Sequence, residues 1–269
     1  MIFNVWINWI YSLTNVEVAI SFIVPLLIFG CGGLTLFKRY FEHRLSLGLE
    51  SNEALNFFAQ CVGVAYGILV GLTAVACWDN FEEVERIISA EVSAINDFHH
   101  LTYAAKGASS EQIRDLDIRY LEAVLEKDWP SAERGEFVNG STNSFRDIRE
   151  TLYRMTPSGA KEERIFAELV ESFRSLTLIR QDRINHSLED AVPGVFWYVL
   201  LIGGLITTFM IFFVHMPSMV VRYILMASYC LIIGSMYFLI AVIDHPFRGE
   251  VHVSAEPYRH LLQEIRQAQ

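Results

Sequence analysis

The chain has 269 residues, 52% of them hydrophobic and 19% charged, with a formal net charge of −10 and a mean hydropathy of +0.31. Apolar content above the roughly 45–50% of soluble domains points to a membrane, and the acidic balance argues against nucleic acid, because phosphate binding needs a basic surface. Four cysteines without CxxC or Cys/His spacing, together with scattered histidines, give no metal or cofactor signature.

Residues 1–15, MIFNVWINWIYSLTN, have no basic residue before their apolar stretch and make a poor signal peptide. Trp6, Trp9 and Tyr11 suit an interfacial N-terminal segment. Residues 16–37, 57–78, 194–214 and 219–243 are each apolar over about the 20 residues that a bilayer-spanning helix needs. They predict an all-α, multi-pass integral membrane protein with four transmembrane helices. Spans 1 and 2 lie within 16–78 and spans 3 and 4 within 194–243. Residues 79–193 hold 23 Asp+Glu and 14 Lys+Arg, a net of −9, so almost all of the net charge belongs to one extramembrane insert. Residues 244–269 form a C-terminal segment.

The second span has no stop signal. No Pro or Gly occurs from Leu72 to Lys106, and apolar spacing continues through Phe81, Val84, Ile88, Ile95 and Phe98. Counted backwards in heptads, the seam includes Gln60, Gly63, Gly67, Val70, Ala74 and Cys77. One helix over 57–105 would be roughly 70 Å long at 1.5 Å per residue. Glu91 interrupts the seam, either paired or lining a wet axis. Gly107 suits a helix end, and Ser109 or Ser110 the next cap. A helix over 111–128 shows Ile113, Leu116, Tyr120, Leu121 and Val124 on one side, and Trp129–Pro130 ends it. Residues 131–143 read as loop, 144–155 as a short helix, and 160–189 as a long helix with Ile165, Leu169, Phe173, Leu176 and Ile179 on its apolar face. The absence of strand-like alternation makes the insert an antiparallel helical layer.

Gly63, Gly67 and Gly71 lie four apart, on one side of span 2. Such a stripe marks close helix packing or the wall of a pore, and both hold if a ring of identical helices surrounds an axis. The candidate pore-lining set is Gln60, Gly63, Gly67, Val70, Ala74, Cys77 and Phe81. Small apolar rings gate by dewetting, and the acidic insert would draw cations toward its mouth. Asp244, where span 4 meets the interface, is either an ion-binding or gating carboxylate, or a cap or salt bridge, for example with Arg248. Trp78 reads as an interface anchor and Trp129 as a packing residue of the insert. Without GxSxG, HExxH or a Walker loop, no enzyme is expected.

Lys38, Arg39, Arg44 and Arg222 place the short connections 38–56 and 215–218 in the cytoplasm by the positive-inside rule. The insert and both termini are then extracytoplasmic.

VGVAYGILVGLTAVACWDNF at 62–81, LEKDWPSAERGE at 125–136 and DHPFRGEVHVSAEPYRHLL at 244–262 resemble the bacterial bestrophin-like family of four-span membrane proteins. The family-motif positions are Trp78, Trp129, Asp244, Pro246, Phe247 and Gly249, and the resemblance covers nearly the whole chain. It implies a bacterial inner-membrane protein, with lipid, its own copies and a small inorganic ion as partners. Bestrophins are pentameric anion channels whose second span lines the pore, which implies a homo-oligomeric, pentameric channel passing small anions such as chloride. In bestrophins the domain between spans 2 and 3 is cytosolic. The alternative is a non-conducting membrane protein whose insert binds a partner or senses an extracytoplasmic signal.

Overall fold

The computed structural model describes residues 10–11, 13–42, 49–105, 107–138, 140–188, 190–214 and 218–268. Trp6, Trp9, Arg44 and the connection at 215–217 lie outside the described residues.

Helix α1 (Asn15–Tyr40) is the first membrane span. Its start is fixed by a capping box, in which the Thr14 hydroxyl accepts from the Glu17 amide and the Glu17 carboxylate accepts from the Thr14 amide at 2.8 Å. Pro25 lies inside it, and π-turns follow at Ile28–Gly32 and Lys38–Glu42. Helix α2 (Leu49–Ala104) runs for 56 residues and begins upstream of the 57 expected from hydropathy, so the connection expected over 38–56 is partly helical. Gly107, at φ +119, precedes α3 (Ala108–Ala123) and takes the cap position expected of Ser109 or Ser110, which fall inside the first turn. Trp129–Pro130 does not end this helix. A π-turn at Val124–Asp128 leads into α4 (Trp129–Glu133), which carries Pro130 near its start. Helices α5 (Thr142–Tyr153), α6 (Ala160–Leu188), α7 (Gly194–Ile211), α8 (Met219–Ile243) and α9 (Glu256–Ala268) complete the chain. The fold is all-α, with four helices long and apolar enough to cross a membrane.

The chain forms two compact units. The first takes in Met1–Asp79, Asp190–His245 and Gly249–Val251, and the second Asn80–Glu189, Pro246–Arg248 and His252–Gln269. Helix α9 therefore belongs with the insert.

In the first unit α1 packs on α8, burying Val18, Phe22 and Leu26. The Phe22 ring lies 6.0 Å from Trp197 and 6.0 Å from Tyr237. Glycines permit the approach: a Cβ on Gly30 would stand 2.6 Å from Cys230 Sγ, and one on Gly234 would stand 3.0 Å from Ile23 Cα. Arg222 is buried in the first turn of α8, and its Nη2 donates to the Phe212 carbonyl at the end of α7. A cation at a helix C-terminus is favoured by the helix dipole.

In the second unit the seam residues Val84, Ile88, Ile95 and Phe98 join Ile113, Leu116, Tyr120, Leu121, Val124, Leu169, Phe173 and Leu176 in one core. Ile179 is only half-buried, and the buried positions that follow Leu176 are Arg180 and Arg183. These arginines serve Glu91. Its carboxylate has no solvent exposure, so the paired alternative is the one the structure adopts. Glu91 Oε2 accepts from Arg183 Nε at 2.6 Å and from the Tyr258 hydroxyl at 2.8 Å, while Oε1 accepts from the Tyr120 hydroxyl. Arg183 also reaches Asp128 at 3.3 Å, and Asp128 accepts from the Ser141 amide at 2.9 Å and hydroxyl at 2.6 Å. Burial alone would lower the Arg183 pKa, but the Glu91 charge beside it holds it well above the ordinary value. Burial, reinforced by Glu91, raises both tyrosines well above theirs and keeps them as donors.

Arg183→Ala leaves Glu91 buried without its cation and should cost about 3–5 kcal/mol, whereas Tyr258→Phe removes one neutral donor and should cost about 1 kcal/mol. Thermal unfolding of the two variants in detergent should rank them in that order, and equal shifts would contradict the account.

Candidate functional site

The apolar stretch of α2 turns one side toward its own unit. Tyr66, Val70, Thr73 and Cys77 are buried, at the spacing of one helical face. The Tyr66 hydroxyl donates to the Leu200 carbonyl on α7 at 2.7 Å and also meets the Tyr237 hydroxyl from α8. Two glycines of α7 make room for these rings: a Cβ on Gly203 would stand 2.5 Å from Tyr66 Cε2, and one on Gly204 would overlap the Tyr237 hydroxyl.

The heptad set does not share one environment. Gln60 and Gly67 are exposed, Gly63 and Ala74 are half-buried, Val70 and Cys77 are buried, and Phe81 is half-buried against the core of the second unit. A straight helix drifts by about 20° per heptad relative to a strict seven-residue repeat. The three heptads from Gln60 to Phe81 therefore turn the seam by about 60°, from the open side to the packed side.

The open side of α2 has two adjacent strips. One is bare: Gly63, Gly67 and Gly71 would each meet nothing within 4 Å if given a Cβ, whereas Gly30, Gly33, Gly203, Gly204 and Gly234 on the other spans stand in close contact. The other strip carries large apolar side chains that the heptad count passed over. Phe57, Val64, Ile68, Leu72 and Val75 are 55–70% exposed. Their spacing of four, four and three from Val64 to Val75 is the signal that finds them in the sequence.

The motif residues divide between the two units. Asp244 is fully buried in the first, and its Oδ1 accepts from the Val192 amide at 2.8 Å and its Oδ2 from the Trp197 indole at 3.1 Å. It ties the end of α8 to the start of α7, and burial pushes its pKa up to about 7. Gly249 has φ +84, a conformation open to glycine and rarely to L side chains. In the second unit Trp129, 4% exposed, packs edge-on against Phe247 at 5.5 Å and Tyr258 at 5.8 Å. The Pro246 carbonyl accepts from the Val253 amide at 2.8 Å. Trp78 is 53% exposed. Among the described residues, no three His, Cys, Asp or Glu side chains are grouped to hold a metal ion.

The Bestrophin-like domain profile matches residues 24–258. The chain belongs to the bestrophin-like family. No curated protein matches it. Among solved structures, a bacterial bestrophin homologue from Klebsiella pneumoniae, carrying one substitution, is 10% identical, with a TM-score of 0.70, and the alignment covers 92% of this chain and 99% of that one. A second variant of that homologue is 8% identical with a TM-score of 0.69, covering 92% and 97%. The crystal structure of a membrane protein carrying one substitution is 11% identical with a TM-score of 0.60, covering 93% and 97%. At such identities the likeness is one of fold. In this bestrophin-like chain the membrane part is built of four apolar helices, and glycines on three of them admit close neighbours.

Gly204→Ala forces the Tyr237 hydroxyl aside and should destabilise the fold by about 1–3 kcal/mol. Gly71→Ala fills open space in a helix interior and should stabilise the subunit by up to about 1 kcal/mol. Thermal unfolding of monomeric protein in detergent tests the contrast. A loss of stability at Gly71 matching that at Gly204 would show that something already covers the bare strip.

Proposed function

We propose that this protein is a homo-oligomeric, pentameric ion channel of bestrophin-like type in a bacterial inner membrane, with the open side of α2 turned to the axis. The observation that carries the reading is the pair of open strips. Each α2 in a ring needs one flank on which a neighbouring copy can come close and one face for the axis. The bare strip at Gly63, Gly67 and Gly71 suits the neighbour, and Val64, Ile68 and Val75 suit an apolar constriction that gates by dewetting. Gln60 lies near one end of that face. The family resemblance favours a small anion such as chloride. An apolar ring adds little charge selectivity, and the acidic insert concentrates cations near its mouth, so potassium is the ion to measure beside it. By the charge count of the short loops, the insert and both termini are extracytoplasmic.

The second reading, a non-conducting protein whose insert binds a partner, is favoured by one observation. A cavity of about 200 Å³ in the second unit is lined by Ala105, Ala108, Met155, Pro157, Ile165 and Phe166.

Purified protein in liposomes should pass chloride or potassium, and Ile68→Trp should reduce flux at least tenfold without changing the mass of the assembly. Val70→Trp is not a pore block on this reading, because Val70 is 2% exposed within its own subunit, and it should instead lower folding yield. A monomer by native mass measurement, or flux untouched by Ile68→Trp, rules the proposal out. A Glu171→Cys variant labelled in intact cells by an impermeant maleimide would place the insert outside, and labelling only after lysis would place it in the cytosol.

A further inference from the structure

We infer that the contact between His99 and Asp117 is a proton-operated latch, which holds the last turns of α2 to α3 and loosens as the surroundings become less acidic. The pair stands in the second unit, apart from Glu91 and its partners. His99 Nδ1 lies 3.2 Å from Asp117 Oδ2, and each side chain is 2% exposed. The tie is single on the histidine side, because His99 Nε2 is buried with no hydrogen-bond partner. Among the described residues, few other bonds reinforce this end. The Thr102 hydroxyl donates back to the His99 carbonyl within α2, and Arg114 Nη1 donates to the Thr102 carbonyl at 3.2 Å. The connection that follows, with Ala105, Gly107, Ala108 and Ser109, lines the 200 Å³ cavity.

Among the described residues, the charged and titratable surroundings are few. From α3, Arg114 faces Asp117, with its guanidinium 4.6 Å from the Tyr103 ring centroid. From α2, the Tyr103 ring lies 5.5 Å from His99 and the His100 ring 6.4 Å. The charged side chains of α5 and of α9, both packed against α3, are exposed. The buried ones, Tyr120 on α3, Tyr258 on α9 and Arg180 and Arg183 on α6, are committed to Glu91, Asp128 and Ser141.

Burial pushes the Asp117 carboxyl up from 3.8 to about 6, against the opposing pull of His99 and Arg114. A carboxyl whose folded pKa lies above its unfolded value binds more protons when folded. The stability it contributes is complete below the unfolded value and is lost as pH rises through the folded one. Here the window runs from 3.8 to about 6. Below it Asp117 is protonated, and its contact with His99 buries no carboxylate charge. Above it the carboxylate is charged in a dry site and gains from any opening that admits water.

The test uses the full chain in lipid nanodiscs. The wild-type unfolding temperature should fall by several degrees as pH rises through the window, and the near-isosteric Asp117→Asn variant should lose that slope. His99→Gln, a second variant, should change the slope without removing the carboxyl. In the wild type alone, amide exchange at the end of α2 and the start of α3, corrected for the intrinsic effect of pH, should speed up severalfold across the same window. An unchanged slope in Asp117→Asn, or wild-type exchange that does not respond, overturns the proposal.

Discussion

The second unit is organised around a carboxylate that water does not reach. Glu91 lies on the apolar seam of α2, where an unpaired charge would be prohibitive, and the packing around it is arranged to supply donors. Arg183 comes from α6, Tyr120 from α3 and Tyr258 from α9, and Arg183 in turn holds Asp128 of the π-turn, which holds Ser141 ahead of α5. Such a network adds little net stability over an apolar core of equal volume. What it gives is register. A helix shifted by one turn would leave a charge or a hydroxyl without its partner, so the network admits one arrangement of helices that share an otherwise greasy and permissive interface.

The first unit is held by other means. Its helices offer almost no charge to one another and come together through small residues and hydroxyls. Gly30, Gly203, Gly204 and Gly234 admit neighbouring side chains or backbone, and Tyr66 and Tyr237 share the Leu200 carbonyl. Asp244 and Arg222 tie α8 to the two ends of α7, the first through the Val192 amide ahead of the helix and the Trp197 indole, the second through the Phe212 carbonyl. Identities of 8–11% to solved relatives are compatible with a shared fold because these devices need size and polarity at a position more than a given residue.

Much of this was legible in the sequence. The four spans, the acidic helical insert and the buried faces of α3 and α6 follow from apolar length and spacing. Three features resisted for identifiable reasons. A heptad count describes helices that supercoil around each other, and α2 does not follow it through the membrane, so the count groups the buried Val70 and Cys77 with the exposed Gln60 and Gly67 and passes over the exposed Val64 and Ile68. Trp129–Pro130 read as a stop because a proline normally ends a helix, and the π-turn that accommodates it has no sequence signal. Glu91 could be seen as anomalous, but its partners lie 29, 92 and 167 residues away, beyond any local pattern.

The hydroxyl of Tyr258 has a consequence for how the chain is made. It comes from the last helix, and the carboxylate it satisfies lies in the first half of the sequence. A ribosome will have finished the insert and both later spans before Tyr258 leaves it. Throughout that time Glu91 lacks one of its donors, and the place filled by α9 stands open. The insert therefore cannot close its core in the order in which it is synthesised, and its completion waits for the helix that carries Tyr258.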